Sequence, residues 1–294
     1  MKPPSEPHGI LAHYFVPDEA HRVQGALTPD EWARELDAYG ARLISADEWM
    51  DRALQGELTD EVCVTFDDGL REAYVYAKPA LDARGICAAW NVYTQPLVGV
   101  PHSLERWRWV RNHAFGSLEK FYEVWRRYCN QLLLPIDGLV YGTKHYLEDR
   151  GYLSQDDRDF RHWRNEVASP VQYEHVMTDL ERKSGKTWDA ADHWLTAADL
   201  RRLLHDGHVI GLHGHRHFTV AGSLEEQRVE WATSAALLRG LGIDARTASY
   251  PCGQITDAAG AWFKDHGIQL AWGATMKGAF PWECPRWSTG YWHV

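Results

Sequence analysis

Two kinds of hydrophobic pattern alternate along this chain. Short apolar runs without charge, such as 62–66, predict strands that are buried on both faces, as in a parallel sheet. Between such runs, apolar residues recur at helical spacing behind capping residues. Thr28 and Pro29 begin one of these helices and Gly40 ends it. Strands that alternate with helices indicate an α/β fold with a parallel sheet, either open or closed into a barrel.

The alternation is interrupted once. From about 96 to 195 the chain has helical patterns, several tryptophans and many charges, but no pattern typical of a strand. We therefore predict a single domain over 1–294 with a helical insertion over 96–195. Ser45 predicts a second capping box. The other predicted elements are helices over 70–84, 118–133, 173–183, 197–204, 223–239 and 256–266, and strands over 86–94, 208–212, 247–250 and 269–272.

Composition and charge narrow the functional class. Apolar residues make up 45% of the chain and charged residues 24%, as in ordinary globular proteins. The 31 basic and 41 acidic residues give a net charge of −10, which argues against a nucleic-acid partner. We find no signal peptide pattern and no apolar run long enough to span a membrane. The five cysteines are scattered without a metal-binding or disulfide spacing, so we expect a cytoplasmic protein.

Two polar clusters directly follow predicted strands. Asp67 and Asp68 come after the strand that ends at residue 66, where α/β folds place their active sites. His213 and His217 follow a later strand at a spacing that can present two imidazoles to one metal ion. The spacing alone is weak, since such a pair is expected by chance in a chain with 16 histidines. Two histidines and one carboxylate at the same sheet edge would leave coordination positions open for water and substrate.

A third strand end carries a tight turn. Residues 249–253 read Ser-Tyr-Pro-Cys-Gly, and the proline and glycine fix the backbone around Cys252. The backbone N–H of such a turn can face a developing oxyanion. A turn of this kind is common and does not by itself indicate a functional site. It supports one here because it follows a strand, as the other two polar clusters do.

Taken in order, three segments resemble the leading motifs of the polysaccharide deacetylases, the family with the NodB-homology domain, also called carbohydrate esterase family 4. They are Val-Thr-Phe-Asp-Asp-Gly at 64–69, His-Gly-His-Arg-His at 213–217 and Tyr-Pro-Cys-Gly at 250–253. The resemblance covers about 11–95 and 196–290. It implies a distorted (β/α)7-type barrel that binds one divalent metal ion, most often Zn²⁺.

The resemblance also implies roles for individual residues. Asp67 would be the general base, and Asp68, His213 and His217 would be the metal ligands. The backbone N–H of Cys252 would help to hold the oxyanion. A metal ion at this site activates water and polarises an amide carbonyl, while Asp67 takes the proton.

The chain departs from the family pattern in its third motif. That motif usually begins with an arginine two residues before the proline, where this chain has Ser249. We expect either Arg246 or Arg286 to orient Asp67 in its place.

The second departure concerns the general acid. The late Leu-x-His motif that supplies it in the family is not recognisable in this sequence. His293, one residue from the C-terminus, and His13 are the two candidates for this role.

The chain is rich in aromatic residues, with 15 tryptophans, and tryptophan rings stack on the apolar faces of sugars. Most tryptophans lie in protein cores, so each candidate is weighed against that alternative. The candidate substrate-binding residues are Trp107, Trp109, Trp282, Trp287 and Tyr250. We expect the insertion to cap the cleft, with its arginines at 106–111 contacting a phosphate of a nucleotide- or lipid-linked sugar. The alternative is a packing or dimerisation module.

The sequence thus predicts a metal-dependent hydrolase that removes an N-acetyl or other N-acyl group from an amino sugar, in surface polysaccharide or lipopolysaccharide biosynthesis. A deformylase or cyclic-amide hydrolase on the same scaffold is the first alternative. A catalytically inactive glycan-binding protein is the second, although Asp67 argues against it. A non-haem iron enzyme is the third, but that class usually combines a His-x-Asp motif with a β-sandwich.

Overall fold

The computed structural model describes the chain in nine segments: residues 4–23, 25–100, 103–134, 146–148, 153–190, 192–217, 223–253, 256–274 and 283–288. The chain divides into two compact units. Residues 1–102 and 191–293 form the first unit, and residues 103–190 form the second. The second unit thus falls inside the segment 96–195 that was predicted as an insertion.

The first unit is built on a parallel sheet of eight strands within the described residues, in the order β10-β1-β4-β5-β6-β7-β8-β9. Strands β2 and β3 form a separate parallel pair. The strands are β1 His8–Ala12, β2 Tyr14–Phe15, β3 Ala26–Leu27, β4 Val62–Phe66, β5 Ala89–Val92, β6 Val209–Leu212, β7 Thr247–Ser249, β8 Leu270–Trp272, β9 Glu283–Cys284 and β10 Arg286–Ser288.

The sheet closes into a distorted (β/α)7-type barrel because its two edge strands belong to one segment of the chain. Strand β9 pairs with β8 through Ala271 and Glu283, and β10 pairs with β1 through Gly9 and Arg286. Only Pro285 separates β9 from β10. A proline has no N–H to donate to a ladder, so the segment can change partner at this residue. The predicted fold class is confirmed.

Helices surround the barrel in the first unit, and local capping chemistry sets their limits. Thr28 and Glu31 form a reciprocal capping box at the start of α1, as the sequence predicts. Ser45 precedes α2 but makes no cap; its hydroxyl accepts a hydrogen bond from the backbone N–H of Cys87. The predicted second capping box is therefore wrong, because a tertiary contact uses the hydroxyl.

The helices are α1 Pro29–Tyr39, α2 Ala46–Gln55, α3 Lys78–Asp82 behind a π-helical turn at Ala73–Ala77, α8 Ala197–His205, α9 Leu224–Gly240 and α10 Asp257–Asp265. Short 3-10 turns lie at Glu19–His21, Gly40–Arg42, Gln95–Val98 and Pro251–Gly253.

Alternate residues of each strand face opposite sides of the sheet, and the two sides differ in character. The outer side packs apolar residues such as Val64, Phe66 and Trp90 against the helices. The inner side combines an apolar cluster that includes Trp272 with polar residues such as Asn91. A Cβ on Gly211 would lie 2.2 Å from Oδ1 of Asn91, so only glycine leaves room for that side chain.

The second unit is helical, and no strand occurs in its described residues. Its helices are α4 Ser103–His113, α5 Leu118–Gln131, α6 Gln155–His162 with a π-helical turn at Trp163–Val167, and α7 Pro170–Ser184. It has a core of its own that is rich in aromatic rings, including Phe121, Trp125, Phe160 and Trp163. No helix in the described parts of either unit is both long and apolar enough to cross a membrane.

Candidate active site

The polar clusters predicted from the sequence meet at one edge of the barrel. Asp67 and Asp68 directly follow β4, and His213 directly follows β6. His13 follows β1, and the turn at Pro251–Gly253 comes one residue after β7. Because all these strands are parallel, their carboxyl ends lie at the same edge. Barrel enzymes place their catalytic residues at this edge.

Asp68, His213 and His217 form a compact set of three donor groups. One ligand atom from each residue lies within 4.8 Å of the other two. Oδ1 of Asp68 is 3.2 Å from Nε2 of His213 and 3.1 Å from Nε2 of His217. Asp68 and His217 have φ angles of 70° and 56°, in the left-handed region that such residues rarely adopt. Backbone of this kind persists where the surrounding structure holds it, commonly at functional sites.

The protonation pattern of this set fits a cation. Nδ1 of His213 lies 3.1 Å from the backbone oxygen of Ser249, which can only accept, so in the neutral ring Nδ1 carries the proton and Nε2 presents a lone pair. That lone pair faces Oδ1 of Asp68, a buried oxygen that makes no hydrogen bond among the described residues. A divalent metal ion satisfies all three donors, whose types suit zinc as well as other metals.

Asp67 is held as a carboxylate beside this set. Its Oδ1 accepts hydrogen bonds from Nη1 of Arg286 at 2.8 Å, from Oγ of Ser249 at 2.9 Å and from Nδ2 of Asn91 at 3.0 Å. Burial alone would raise the pKa of Asp67, but the charge of Arg286 outweighs it, and the pKa lies well below its usual range. Asp67 is thus ionised, and none of these three contacts uses its other oxygen.

Of the two arginines considered from the sequence, Arg286 is the one that contacts Asp67. It is 1% exposed at the start of β10, and Arg246 instead forms an exposed ion pair with Asp51. Asn91 was not predicted as a site residue. A signal was present, because Asn91 is a polar residue inside the apolar run of strand β5. Its place in the barrel could not be read from that signal.

The loop that carries the histidines is fixed from behind by Glu230 of α9. This carboxylate is 4% exposed and accepts hydrogen bonds from the backbone N–H groups of His215, at 2.8 Å, and Arg216. It also accepts one from Nε of Arg216 at 3.0 Å. Sequence reasoning missed Glu230, which stands in a helix among ordinary surface charges.

Two further residues predicted for the chemistry lie at the same edge. His13 directly follows β1, and burial lowers its pKa while the charges of Asp68 and Asp67 oppose that shift. Cys252 lies in the 3-10 turn after β7, as the predicted oxyanion role requires. His293, the other candidate general acid, lies outside the described residues.

The predicted substrate contacts of several aromatic residues need correction. Tyr250 is 1% exposed and stacks on Phe263, with ring centroids 6.2 Å apart, so it has no surface left for a sugar. Trp287 follows Arg286 on β10 and therefore points to the opposite face, away from Asp67. Trp282 lies outside the described residues.

Two of the candidates lie in the second unit. Trp107 is 2% exposed in the core of that unit and donates a hydrogen bond to Glu174 at 2.9 Å, so its ring faces are covered. Arg111 is also buried and pairs with Asp157 at 3.6 Å. Trp109 is half-buried and is the remaining aromatic candidate of this unit. That the insertion sets substrate choice stays a prediction.

A small pocket adjoins the set of three donors. Its volume is about 10 Å³, room for roughly one water molecule. It is lined by Asp68, Gly69, Val92, Tyr93, Pro96, Leu97, Trp194, Leu195 and Leu200.

Comparison with known proteins identifies the class to which this fold belongs. The fold is that of solved polysaccharide deacetylases and related deacetylases. No family model and no curated protein matches the sequence.

Three of these structures illustrate the likeness. The deacetylase PplD of Streptococcus pyogenes, solved with acetate, has a TM-score of 0.57 at 14% identity, over 97% of this chain and 93% of PplD. The polysaccharide deacetylase BC0361 of Bacillus cereus has a TM-score of 0.54 at 10% identity, over 96% and 64%. A de-N-acetylase of Aggregatibacter actinomycetemcomitans has a TM-score of 0.53 at 13% identity, over 96% and 94%.

Proposed function

We propose that this protein is a metal-dependent amide hydrolase that removes the N-acetyl group from an amino sugar. The observation that carries the proposal is the position of Asp67. This ionised carboxylate directly precedes Asp68 in the chain but does not belong to the set of three donors formed by Asp68, His213 and His217. Metal-dependent hydrolysis of an amide uses both a Lewis acid and a base, and this edge of the barrel brings the residues for both together. The names of the structural neighbours, which are deacetylases, support the same reaction.

The residues divide the work of the reaction. Asp68, His213 and His217 would hold a divalent ion, which would supply Lewis-acid activation. Asp67 would take the proton of the attacking water, and Arg286 keeps the carboxylate in place. The backbone N–H of Cys252 stabilises the oxyanion. His13 is the proposed donor of the proton to the leaving amine, since it follows β1 at the same edge of the barrel.

The small pocket beside Asp68 supports a short acyl group. We propose that the acyl group enters this pocket, whose room for about one water molecule would favour an acetyl methyl or a formyl hydrogen over a long acyl chain. The name of the Bacillus cereus neighbour supports a carbohydrate as the remainder of the substrate. Within that class, we propose an intermediate of surface polysaccharide or lipopolysaccharide synthesis, free or linked to a nucleotide or lipid.

A release assay tests this function. Wild-type protein loaded with Zn²⁺ or Co²⁺ is incubated with N-acetylated and N-formylated amino sugars, each free, nucleotide-linked and lipid-linked. We expect acetate release that a chelator abolishes and added metal restores. The formylated series decides between the main proposal and a deformylase. If the metal-loaded protein releases no acid from any of them, the proposed hydrolysis is wrong.

Metal analysis tests the site itself. We expect about one divalent ion in wild-type protein and its loss in His217→Ala. His215→Ala is the matched control, because His215 stands in the same loop outside the set of three donors and contacts Thr94. Equal metal content in wild type and His217→Ala would contradict the assignment.

A further inference from the structure

The hydroxyl of Ser249 lies between the two halves of the candidate active site. Its Oγ is 2.6 Å from Nδ1 of His213 and 2.9 Å from Oδ1 of Asp67. Ser249 is fully buried at the end of β7, so water does not compete for these contacts. One hydroxyl group therefore contacts both a proposed metal ligand and the proposed base.

The direction of both hydrogen bonds follows from the chemistry of the groups. Oδ1 of Asp67 accepts from Nη1 of Arg286 and Nδ2 of Asn91, which can only donate, and the Ser249 hydroxyl donates its one proton to the same oxygen. The oxygen of that hydroxyl then has only lone pairs left for His213, so Nδ1 of His213 must be the donor. The backbone oxygen of Ser249, 3.1 Å from the same nitrogen, imposes the same direction.

The sequence context explains why a hydroxyl can stand here. The resemblance places an arginine at this position, and in this chain the arginine that contacts Asp67 comes from β10 instead. The position on β7 is therefore free for a small side chain that reaches both Asp67 and His213. Arginine could not replace it in this role, because a guanidinium has donors only.

We propose that Ser249 is a positioning residue that aligns His213 for the metal ion and ties that ligand to Asp67. Together with the backbone oxygen of the same residue, its hydroxyl accepts the Nδ1 proton and so holds His213 in the tautomer whose Nε2 presents a lone pair to a metal ion. By donating to Asp67, it makes the orientation of the base depend on the same hydroxyl. This inference rests on the proposed function and adds a residue to its machinery.

The first test measures metal affinity, a readout that needs no substrate. Ser249→Ala should bind Co²⁺ about 10- to 100-fold more weakly than wild type in competition with a chelator, the usual effect of removing a partner of a ligating histidine. At saturating metal its kcat for acetate release should fall, with KM little changed, because Ser249 orients groups and does not bind the sugar. Thr247→Val is the matched control. It removes another buried hydroxyl of β7 that makes no hydrogen bond among the described residues, and it should bind Co²⁺ like wild type.

The second test reads the tautomer directly in the wild-type chain. Proton–nitrogen NMR of His213 should show the proton on Nδ1, both with Zn²⁺ bound and after its removal. A Ser249→Ala affinity within twofold of wild type, or a wild-type His213 protonated on Nε2 in the absence of metal, would overturn the inference. If wild type binds no metal, the proposed function falls with it, whereas equal affinities in two metal-binding proteins remove only the role of Ser249.

Discussion

Asp67 and Arg286 form a buried ion pair although 219 residues separate them in the sequence. Nη1 of Arg286 lies 2.8 Å from Oδ1 of Asp67, and both side chains are almost fully buried. The contact exists because β10 pairs with β1, which in turn pairs with β4, the strand that Asp67 follows. The pairing of β10 with β1, which closes the barrel, therefore also brings Arg286 to the proposed base, Asp67.

The first prediction concerns the stability of this pair. Arg286→Ala should lower the free energy of unfolding by about 3–5 kcal/mol, because it leaves a buried carboxylate without its cation. Urea denaturation measures the change. Arg246→Ala is the matched control, since its pair with Asp51 is exposed and should contribute less than about 1 kcal/mol. Equal losses in the two variants would contradict the structural role of Arg286.

The second prediction separates the two adjacent carboxylates. Asp67→Asn should keep the metal ion but lower kcat about 10²- to 10⁴-fold, as expected when a general base is removed. Asp68→Asn should instead weaken metal binding, because it replaces the anionic ligand of the set. Elemental analysis and acetate release, measured on both variants, distinguish the roles. Near-normal turnover of Asp67→Asn would show that another group acts as the base.

The third prediction concerns the support of the histidine loop. Glu230→Ala should lower the free energy of unfolding by about 1–3 kcal/mol, since it leaves the backbone N–H groups of His215 and Arg216 without their acceptor. We also expect weaker Co²⁺ binding, because the same loop carries His213 and His217. Glu225→Ala, an exposed change on the same helix, should alter neither quantity. Unchanged metal affinity in Glu230→Ala would show that the loop holds its shape without this carboxylate.

The fourth prediction is a pH dependence of folding that comes from a core histidine outside the site. His208 is 3% exposed, and its Nδ1 accepts hydrogen bonds from the backbone N–H of Ala88 at 2.9 Å and from Nε1 of Trp90 at 3.2 Å. Burial lowers the pKa of His208 from 6.5 to about 4. Between pH 6.5 and pH 4, His208 is protonated in the unfolded chain but neutral in the folded protein. The free energy of unfolding therefore falls as the pH drops through this range.

The expected contribution of His208 to this loss is about 3 kcal/mol between pH 6.5 and 4. His208→Asn keeps an acceptor but does not titrate, so its stability should decline less over the same interval. Denaturation curves at a series of pH values, recorded for both proteins, give the difference. Parallel declines would show that His208 does not contribute.

The sequence by itself determined those features that depend on neighbouring residues. Thr28 with Glu31 sets the start of α1, and the uncharged apolar run of 62–66 becomes a buried strand. Because α/β folds place their active sites at the carboxyl ends of parallel strands, that run made Asp67 and Asp68 candidate site residues, and the family resemblance then suggested their roles. Ser45 shows the limit of local reasoning, because a backbone N–H from a distant part of the chain takes the hydroxyl that was expected to cap α2.

Only the tertiary structure decided which side chains surround Asp67. Asn91, Ser249 and Arg286 come from strands β5, β7 and β10, and closure of the barrel brings them to one oxygen atom. Arg286 and Trp287 point to opposite faces because they are neighbours on strand β10, a strand that was not predicted from the sequence. Periodicity and capping depend on interactions between residues a few positions apart. The contacts of Asp67 depend instead on strand order and register, which are determined by residues far apart in the sequence.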